Sequence, residues 1–368
     1  MRTDICDIVI YMKKTVYYSI IHMLVDGMCA YALAWTSPDL VYALRLYLIY
    51  NFCAFVLQMP IGAVLDGYMQ RNRTQGLPFI YALTGSAITL TGAICIIFLP
   101  ATSIFEPMGV IILGIGNALF HIGGGVGSIY EDHENGKKGS NLGLFVAPGA
   151  LGLFLGSSFA YVSPPLSLGF YLIISVIVYS LLSKTYSKEA DNDIFVIDNE
   201  KEDTFNRKDL KLIICCFIVV ILRSYMGLGI TMSWKIGLTL PFIAVLCVVF
   251  GKIGGGILAA RFDMGKVIIV TLVISSICYA LIDHPLFGLI ALLTFNTTMP
   301  ITLYMLVNRF KDMPGFFFGL LTLALFTGYI PVYFKITLPF SANITGVAGC
   351  TLSLLILLYA YWIYTDKQ

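Results

Sequence analysis

Long runs of apolar residues, separated by short polar turns, follow one another along the chain. Each run is about 20 residues long, which is the length that an α-helix needs to cross the hydrocarbon core of a bilayer. We therefore predict a membrane-spanning helix in each of twelve runs, although Gly or Pro interrupts the fourth, fifth and eleventh. The runs cover residues 15–35, 42–65, 77–99, 105–128, 141–162, 165–183, 211–231, 237–259, 266–283, 286–307, 315–334 and 345–364.

One polar stretch is much longer than the other turns and separates the sixth run from the seventh. It covers residues 184–210, and its charge and lack of apolar periodicity indicate a flexible linker. We predict an N-terminal six-helix bundle over residues 1–183, a cytoplasmic linker over 184–210, and a C-terminal six-helix bundle over 211–368. The predicted fold class is an all-α integral membrane protein.

The two halves carry traces of an internal repeat. GAVLDGYMQR begins at Gly62 after the second run, and GILAARFDMGK begins at Gly256 after the eighth. If these positions are equivalent, Asp26 in the first run matches Arg223 in the seventh, because each lies twelve residues after a lysine that opens its run. A two-fold axis along the membrane normal would place this acid and this base on opposite sides of a central cavity.

Composition and charge agree with a membrane protein and exclude some other classes. Hydrophobic residues make up 58% of the chain and charged residues 12%, whereas soluble domains carry about 25% charge. The net charge of +2 gives no basic field suited to nucleic acid. Of the 23 Lys and Arg residues, 18 fall on the side of the N-terminus. By the positive-inside rule we expect both termini in the cytoplasm and a bacterial-type inner membrane location. We expect a monomer in the lipid bilayer.

The loop after the second run resembles a signature of the major facilitator superfamily. Gly62, Asp66 and Arg71 match the pattern Gly-x-Leu-Ala-Asp-Arg-x-Gly-Arg-Lys. The second copy keeps Arg261 but has Ala260 at the acidic position. The resemblance covers the whole chain and implies two six-helix bundles that rock against each other. It also implies that the Asp and Arg residues form a cytoplasmic charge latch, made in one state and broken in another.

Within that superfamily, three further stretches resemble the fosmidomycin-resistance type of exporter. They are His22-x-x-x-Asp26 in the first run, Gly114-x-Gly-x-x-x-Phe120-His121 in the fourth, and Leu222-Arg223-Ser224 in the seventh. The fifth run contains Gly143-x-x-x-Ala147-Pro148-x-x-x-Gly152, which is similar to a proton-antiporter signature. These resemblances imply drug efflux coupled to protons, with the fifth helix acting as a gate.

Ionisable and amide side chains inside the runs are the candidate site residues, because such groups are costly in lipid unless they meet water, a partner or a substrate. His22 and Asp26 are four residues apart, so they share one helix face, and we predict that they load and release a proton. Arg223 suits an anionic group of the substrate. The other predicted residues of the substrate cavity are His121, Asn117, Asn51, Gln58 and Asn296.

The predicted function is secondary active transport of a small, anionic or drug-like molecule, favoured as proton antiport. Proton symport of an organic anion or sugar is the alternative within this class. No phosphate-binding Gly-x-x-x-x-Gly-Lys-Ser/Thr string is present, so the energy must come from an ion gradient. We expect no cofactor and no enzyme activity, because no metal cluster, nucleophile elbow or catalytic carboxylate pair is evident. A membrane enzyme or a sensor is the alternative from another class.

Overall fold

The computed structural model describes residues 14–36, 39–72, 76–99, 104–134, 139–190, 205–336 and 339–366. Within these ranges each of the twelve predicted runs forms a helical span, so the all-α membrane fold is confirmed. Eleven spans are long and apolar enough to cross a bilayer, and the ninth, with 17 residues, is shorter.

We number the spans α1 to α12 in chain order. The N-terminal bundle contains α1 (Lys14–Leu33), α2a (Leu40–Asn51), α2b (Gln58–Asn72), α3 (Leu77–Phe98), α4 (Phe105–Glu134), α5a (Ser140–Val146), α5b (Pro148–Ser158) and α6 (Pro164–Ala190). The C-terminal bundle contains α7 (Arg207–Gly229), α8 (Thr239–Arg261), α9 (Met264–Ala280), α10a (Pro285–Phe295), α10b (Thr298–Arg309), α11 (Pro314–Tyr333) and α12 (Ala342–Thr365).

Three spans are broken just before a proline. A proline ring clashes with the carbonyl group four residues earlier, so the helix is disrupted on that side. The breaks lie at the π-turn Phe52–Val56 before Pro60, at Ala147 before Pro148, and at Asn296 and Thr297 before Pro300. The fourth and eleventh runs, which Gly or Pro also interrupts in sequence, are continuous helices. Their glycines are contact points between helices, and this packing outweighs the low helix propensity of glycine.

The helix contacts repeat in the two bundles. Helix α1 packs against α5b and α6, and α7 packs against the equivalent helices α11 and α12. Contacts between the bundles follow the same rule, since α2b packs against α11 and α8 packs against α5a. If each helix is replaced by the helix six positions away in chain order, the contact of α2b with α11 becomes the contact of α8 with α5a. The bundles are therefore related by a pseudo-two-fold axis, as the repeat in the sequence predicted.

Glycine allows the two bundles to touch at one end of the molecule. A Cβ atom added to Gly62 of α2b would lie 2.1 Å from the carbonyl oxygen of Gly315 in α11, a distance that no side chain tolerates. The second contact has the same character, because Gly143 of α5a faces the backbone of α8 at Gly256. The end that carries the basic loops is thus closed by backbone-to-backbone packing.

The helices reach further into the predicted linker than the sequence suggested. The sixth span was expected to end at residue 183, but α6 continues to Ala190, and α7 begins at Arg207. Asn206 sets this start, because its side chain accepts the N–H groups of Lys208 and Asp209 while Asp209 accepts the N–H of Asn206. Residues 191–204 of the linker lie outside the described residues, so the domain boundaries remain predictions.

Candidate functional site

Four polar side chains from α1 and α4 meet inside the N-terminal bundle. Nε2 of His22 lies 3.1 Å from Oδ2 of Asp26, and Nε2 of His121 lies 3.7 Å from Oδ1. The two Nε2 atoms lie 2.9 Å apart, and the amide of Asn117 donates to Oδ1 of Asp26 over 2.9 Å. His22, Asp26 and Asn117 are buried and His121 is half-buried. We call His22, Asp26 and His121, with Asn117 beside them, the His–Asp cluster.

Backbone carbonyl groups fix the tautomer of both imidazoles. Nδ1 of His22 lies 2.7 Å from the carbonyl oxygen of Phe145, and Nδ1 of His121 lies 2.9 Å from that of Asn117. A carbonyl oxygen only accepts, so each Nδ1 carries the hydrogen. In a neutral imidazole of this tautomer, Nε2 has a free lone pair. The two lone pairs point at each other and at a carboxylate, so the cluster needs a proton or another cation between them.

The broken fifth span covers the cluster. Phe145, in the last turn of α5a, accepts from His22, and Pro148 starts α5b directly afterwards. A Cβ atom added to Gly149 would lie 2.3 Å from Nε2 of His22 and 2.4 Å from Oδ2 of Asp26. Only a glycine at this position leaves the cluster its present geometry. Gly152, one turn further on, lets the backbone of α5b contact α1 at Met23.

Two cations of the C-terminal bundle, one buried and one half-buried, lie near α5. Arg223 of α7 lines a small, mostly apolar cavity between the bundles, together with Val146, Phe318 and two threonines. The ammonium of Lys252 on α8 donates to the carbonyl oxygen of Val146 over 3.1 Å. It interacts electrostatically with both Arg223 and Asp26. In the described part of the chain neither cation forms an ion pair within 4 Å.

Lys252 is the site residue that the sequence pattern alone did not single out. It lies in the middle of the eighth span, within the string FGKIGGG. A lysine inside an apolar span is a signal of the same kind as Arg223. The structure places it between Asp26 and Arg223, which do not contact each other directly.

The three remaining predicted cavity residues are not part of the His–Asp cluster. Each amide donates to the carbonyl oxygen four residues earlier in its own span: Asn51 to Tyr47, Gln58 to Ala54 and Asn296 to Leu292. All three lie at the breaks in α2 and α10, where the broken helix leaves backbone acceptors free. Oε1 of Gln58 is buried without a hydrogen-bond partner, so this side chain still has an acceptor to offer. Their role in the cavity remains a prediction.

Asp66, the acid of the predicted latch, contacts backbone groups rather than an arginine in this conformation, and the latch itself remains a prediction. Asp66 accepts the backbone N–H groups of Gly315 and Phe316, at 2.9 and 2.7 Å, in the first turn of α11. Arg71 and Arg261 are exposed, and neither pairs with Asp66 among the described residues. A helix N-terminus carries free N–H groups and a partial positive charge, so it substitutes for an arginine. In this conformation the carboxylate joins the bundles, and the Asp–Arg pairing is not formed.

The equivalent contact on the other side of the pseudo-two-fold axis is made within one bundle. Ala260 occupies the position on α8 that Asp66 occupies on α2b, so α8 offers no acid to the start of α5a. Asp132 at the end of α4 does so instead, accepting the N–H groups of Asn141 and Leu142 at 2.9 Å each. The loss of the second acid is therefore compensated locally. Of these two sets of hydrogen bonds, the set made by Asp66 joins one bundle to the other.

Comparisons with known proteins find likeness in structure only. The chain matches no protein-family model and no curated protein sequence. Among solved structures it resembles a variant of the E. coli fucose:proton symporter, with a TM-score of 0.61 and 10% identity over 95% of this chain and 98% of that one. It also resembles a bacterial homologue of the iron transporter ferroportin in an outward-facing state with soaked iron, with a TM-score of 0.59 and 12% identity over 96% and 99%. At these identities the likeness establishes the major facilitator fold.

Proposed function

We propose that this protein is a secondary active transporter that exchanges protons for a small solute by alternating access. The observation that carries the proposal is the position of the His–Asp cluster. It lies buried in one bundle of a two-bundle membrane fold, next to α5, and Val146 of α5 also contacts Lys252 and lines a cavity with Arg223 of the second bundle. Ionisable groups inside a membrane protein are costly, and they mark substrate or ion pathways.

Protonation of the cluster is the proposed coupling step. When one imidazole holds a proton, the charges of Asp26, His22 and His121 sum to zero, and the N–H group bridges the two rings. When the proton leaves, a negative charge and two free lone pairs remain in the cluster. A solute that binds these lone pairs or the carboxylate therefore competes with the proton. Competition for one site between two ligands, in a protein with two access states, gives exchange and hence antiport.

Arg223 and Lys252 supply the proposed recognition of an anionic group. Arg223 is permanently charged and donates through a fork that matches two oxygens of a carboxylate or phosphonate. Lys252 adds a second positive charge between Arg223 and the cluster. A solute with an anionic oxygen would bind both cations while its other end reaches His22 and His121 past the break in α5.

Alternating access requires the closed end of the molecule to open. The two helix pairs α2b–α11 and α5a–α8 close the end that carries Arg71 and Arg261. The positive-inside rule assigns this end to the cytoplasm, with both termini there, in a bacterial-type inner membrane. We propose that the bundles rock apart at these contacts, and that breaking the hydrogen bonds of Asp66 is part of the motion.

Binding measured at two pH values tests the proposal. We suggest a thermal-shift screen of small carboxylates, phosphonates, sugars, drugs and metal salts with the purified protein at pH 6 and pH 8. A solute that competes with the proton binds more tightly at pH 8. Asp26→Asn should remove that pH dependence and leave the protein folded. Asp283→Asn, which changes an exposed carboxylate between α9 and α10a, is the matched control.

The same screen separates symport from antiport, and assays of solute conversion and of flux separate both from an enzyme or a sensor. An organic anion that binds Arg223 and Lys252 but not the His–Asp cluster does not compete with the proton. A proton on the cluster then attracts the anion, which favours symport. Such a solute binds more tightly at pH 6 than at pH 8. A membrane enzyme would convert the solute without any gradient, and a sensor would bind it without flux. Binding that is independent of pH in the wild-type protein would contradict proton coupling.

A further inference from the structure

We infer that the solute exchanged for the proton is a divalent transition-metal ion, bound by Nε2 of His22, Nε2 of His121 and the carboxylate of Asp26. This inference rests on the proposed proton exchange at the His–Asp cluster and names the substrate class of that site. The ligand atoms of these three residues lie within 4.8 Å of one another. Two imidazoles and one carboxylate form a donor set that transition metals accept.

The orientation of the imidazoles is that of metal ligands. Histidines that bind a metal through one ring nitrogen almost always donate the other N–H to a carbonyl or carboxylate group, which fixes the tautomer. Both histidines meet this condition, through the carbonyl oxygens of Phe145 and Asn117. The amide of Asn117 holds the carboxylate of Asp26 in the same way. The supporting hydrogen bonds are therefore present for all three ligands.

The distances fit an exchange between a proton and a metal ion. The 2.9 Å between the two Nε2 atoms is the length of a hydrogen bond, so the present geometry suits a shared proton. Two ligands about 2.05 Å from a tetrahedral ion lie about 3.3 Å apart, so the rings need to separate by only a few tenths of an ångström. The metal takes the lone pair that held the proton, and one proton is released to water.

The site is incomplete in a way that suits transport. Three protein ligands leave at least one coordination position for water or for an anion that accompanies the metal. Lys252 interacts electrostatically with His121 and Asp26, so its positive charge lowers the affinity for a bare cation while it attracts a counter-anion. Nitrogen ligands disfavour Mg²⁺ and Ca²⁺, which bind almost entirely to oxygen. We expect Zn²⁺, Co²⁺ and similar ions to bind, and Mg²⁺ and Ca²⁺ to be excluded.

Metal binding to the purified full-length protein tests the inference. The protein, prepared without a polyhistidine tag, is titrated in detergent with Co²⁺ and followed by visible absorption. Zn²⁺, Mg²⁺ and Ca²⁺ are then added as competitors. We expect one Co²⁺ per chain, displaced by Zn²⁺ alone. Calorimetry in buffers of different ionisation enthalpy should find about one proton released per metal ion.

Variants and spectroscopy identify the ligands. His22→Gln and His121→Gln should each weaken Co²⁺ binding by at least about 100-fold, since even the loss of a supporting partner costs 10–100-fold. His284→Gln is the matched control, because His284 is a residue outside the cluster that caps the start of α10a. X-ray absorption of the wild-type Zn²⁺ complex should find two imidazole nitrogens at about 2.0–2.1 Å, a result that does not depend on the folding of any variant.

The failure of this inference can be told apart from the failure of the proposed function. Absent Co²⁺ binding, or binding that is equal in wild type and both cluster variants, overturns the metal site. An organic solute whose binding is pH-dependent and sensitive to Asp26→Asn would then still support proton-coupled transport. Conversely, Co²⁺ bound at the cluster without pH-driven flux in liposomes would sustain the metal site and refute the exchange mechanism.

Discussion

The Asp66 carboxylate is a hydrogen-bonded link between the two bundles, and replacing it tests whether that link biases the conformation. In the closed state Asp66 accepts two backbone N–H groups at the start of α11, at 2.9 and 2.7 Å. Hydrogen bonds to a charged group contribute about 1.5–3 kcal/mol each. Asp66→Asn keeps one acceptor oxygen but loses the charge and the second acceptor, so the closed state should lose about 2 kcal/mol relative to the open state.

A change of that size is large enough to measure. It corresponds to a shift of about 30-fold, which moves an open-to-closed ratio of 1:99 to about 1:3. Asp132→Asn is the matched control, because Asp132 makes two equivalent bonds to the start of α5a within a single bundle. These bonds persist when the bundles separate. The control should therefore lower the stability to unfolding by about 2 kcal/mol and change the open-to-closed ratio less than Asp66→Asn does.

Pulsed electron–electron double resonance, which measures the distance between two spin labels, provides the assay. Exposed Ile80 on α3 and exposed Ile269 on α9 are replaced by cysteine and labelled, in a background from which reactive native cysteines are removed. Each label reports the end of one bundle and lies away from the latch. We expect Asp66→Asn to add a longer distance to the distribution and Asp132→Asn to change the parent distribution less. If both variants match the parent, the Asp66 bonds do not bias the closed state.

Two further predictions concern the cavity and the cover of the cluster. Arg223→Ala should weaken an anionic ligand at least tenfold more than a neutral one in a binding assay, because the forked donor is lost, and equal losses would remove Arg223 from recognition. Gly149→Ala should lower the melting temperature and weaken solute binding, since its Cβ would meet the cluster at 2.3–2.4 Å and overpacking costs about 1–3 kcal/mol. Gly169→Ala, where nothing lies within 4 Å, should lower neither quantity, since alanine favours a helix more than glycine does, and similar losses at both glycines would contradict the close packing of α5b on the cluster.

The number of spans follows from sequence because each span needs about 20 apolar residues, a local property of the chain. The pairing of His22 with Asp26 is local too, since residues four apart in a helix lie on the same face. The meeting of this pair with Asn117 and His121 depends on how α1 packs against α4. That packing is set by many contacts between residues far apart in sequence. The sequence therefore predicts which residues share a helix face, but it does not predict that the two pairs meet.

The differences between prediction and structure have local causes. The latch motif suggested an Asp–Arg pairing, but the free N–H groups at the start of α11 compete for Asp66, and a motif does not reveal which neighbour lies closer. The role of Asp132 has no signature in the sequence, because its partners belong to the next helix rather than to a repeat. The spans break before Pro60 and Pro300 because each proline acts on the carbonyl four residues earlier. That rule is readable in the sequence, but a proline alone does not predict a break, because Pro331 lies inside the continuous helix α11.

Proton movement in reconstituted vesicles tests the central claim most directly. Purified protein is placed in liposomes that contain a pH-sensitive dye, and the solute found in the two-pH screen is added outside. We predict that solute entry drives protons out of wild-type vesicles and of Asp283→Asn vesicles, and that Asp26→Asn vesicles show no proton movement. Proton counterflow of equal size in Asp26→Asn and wild type would contradict the assignment of coupling to the His–Asp cluster.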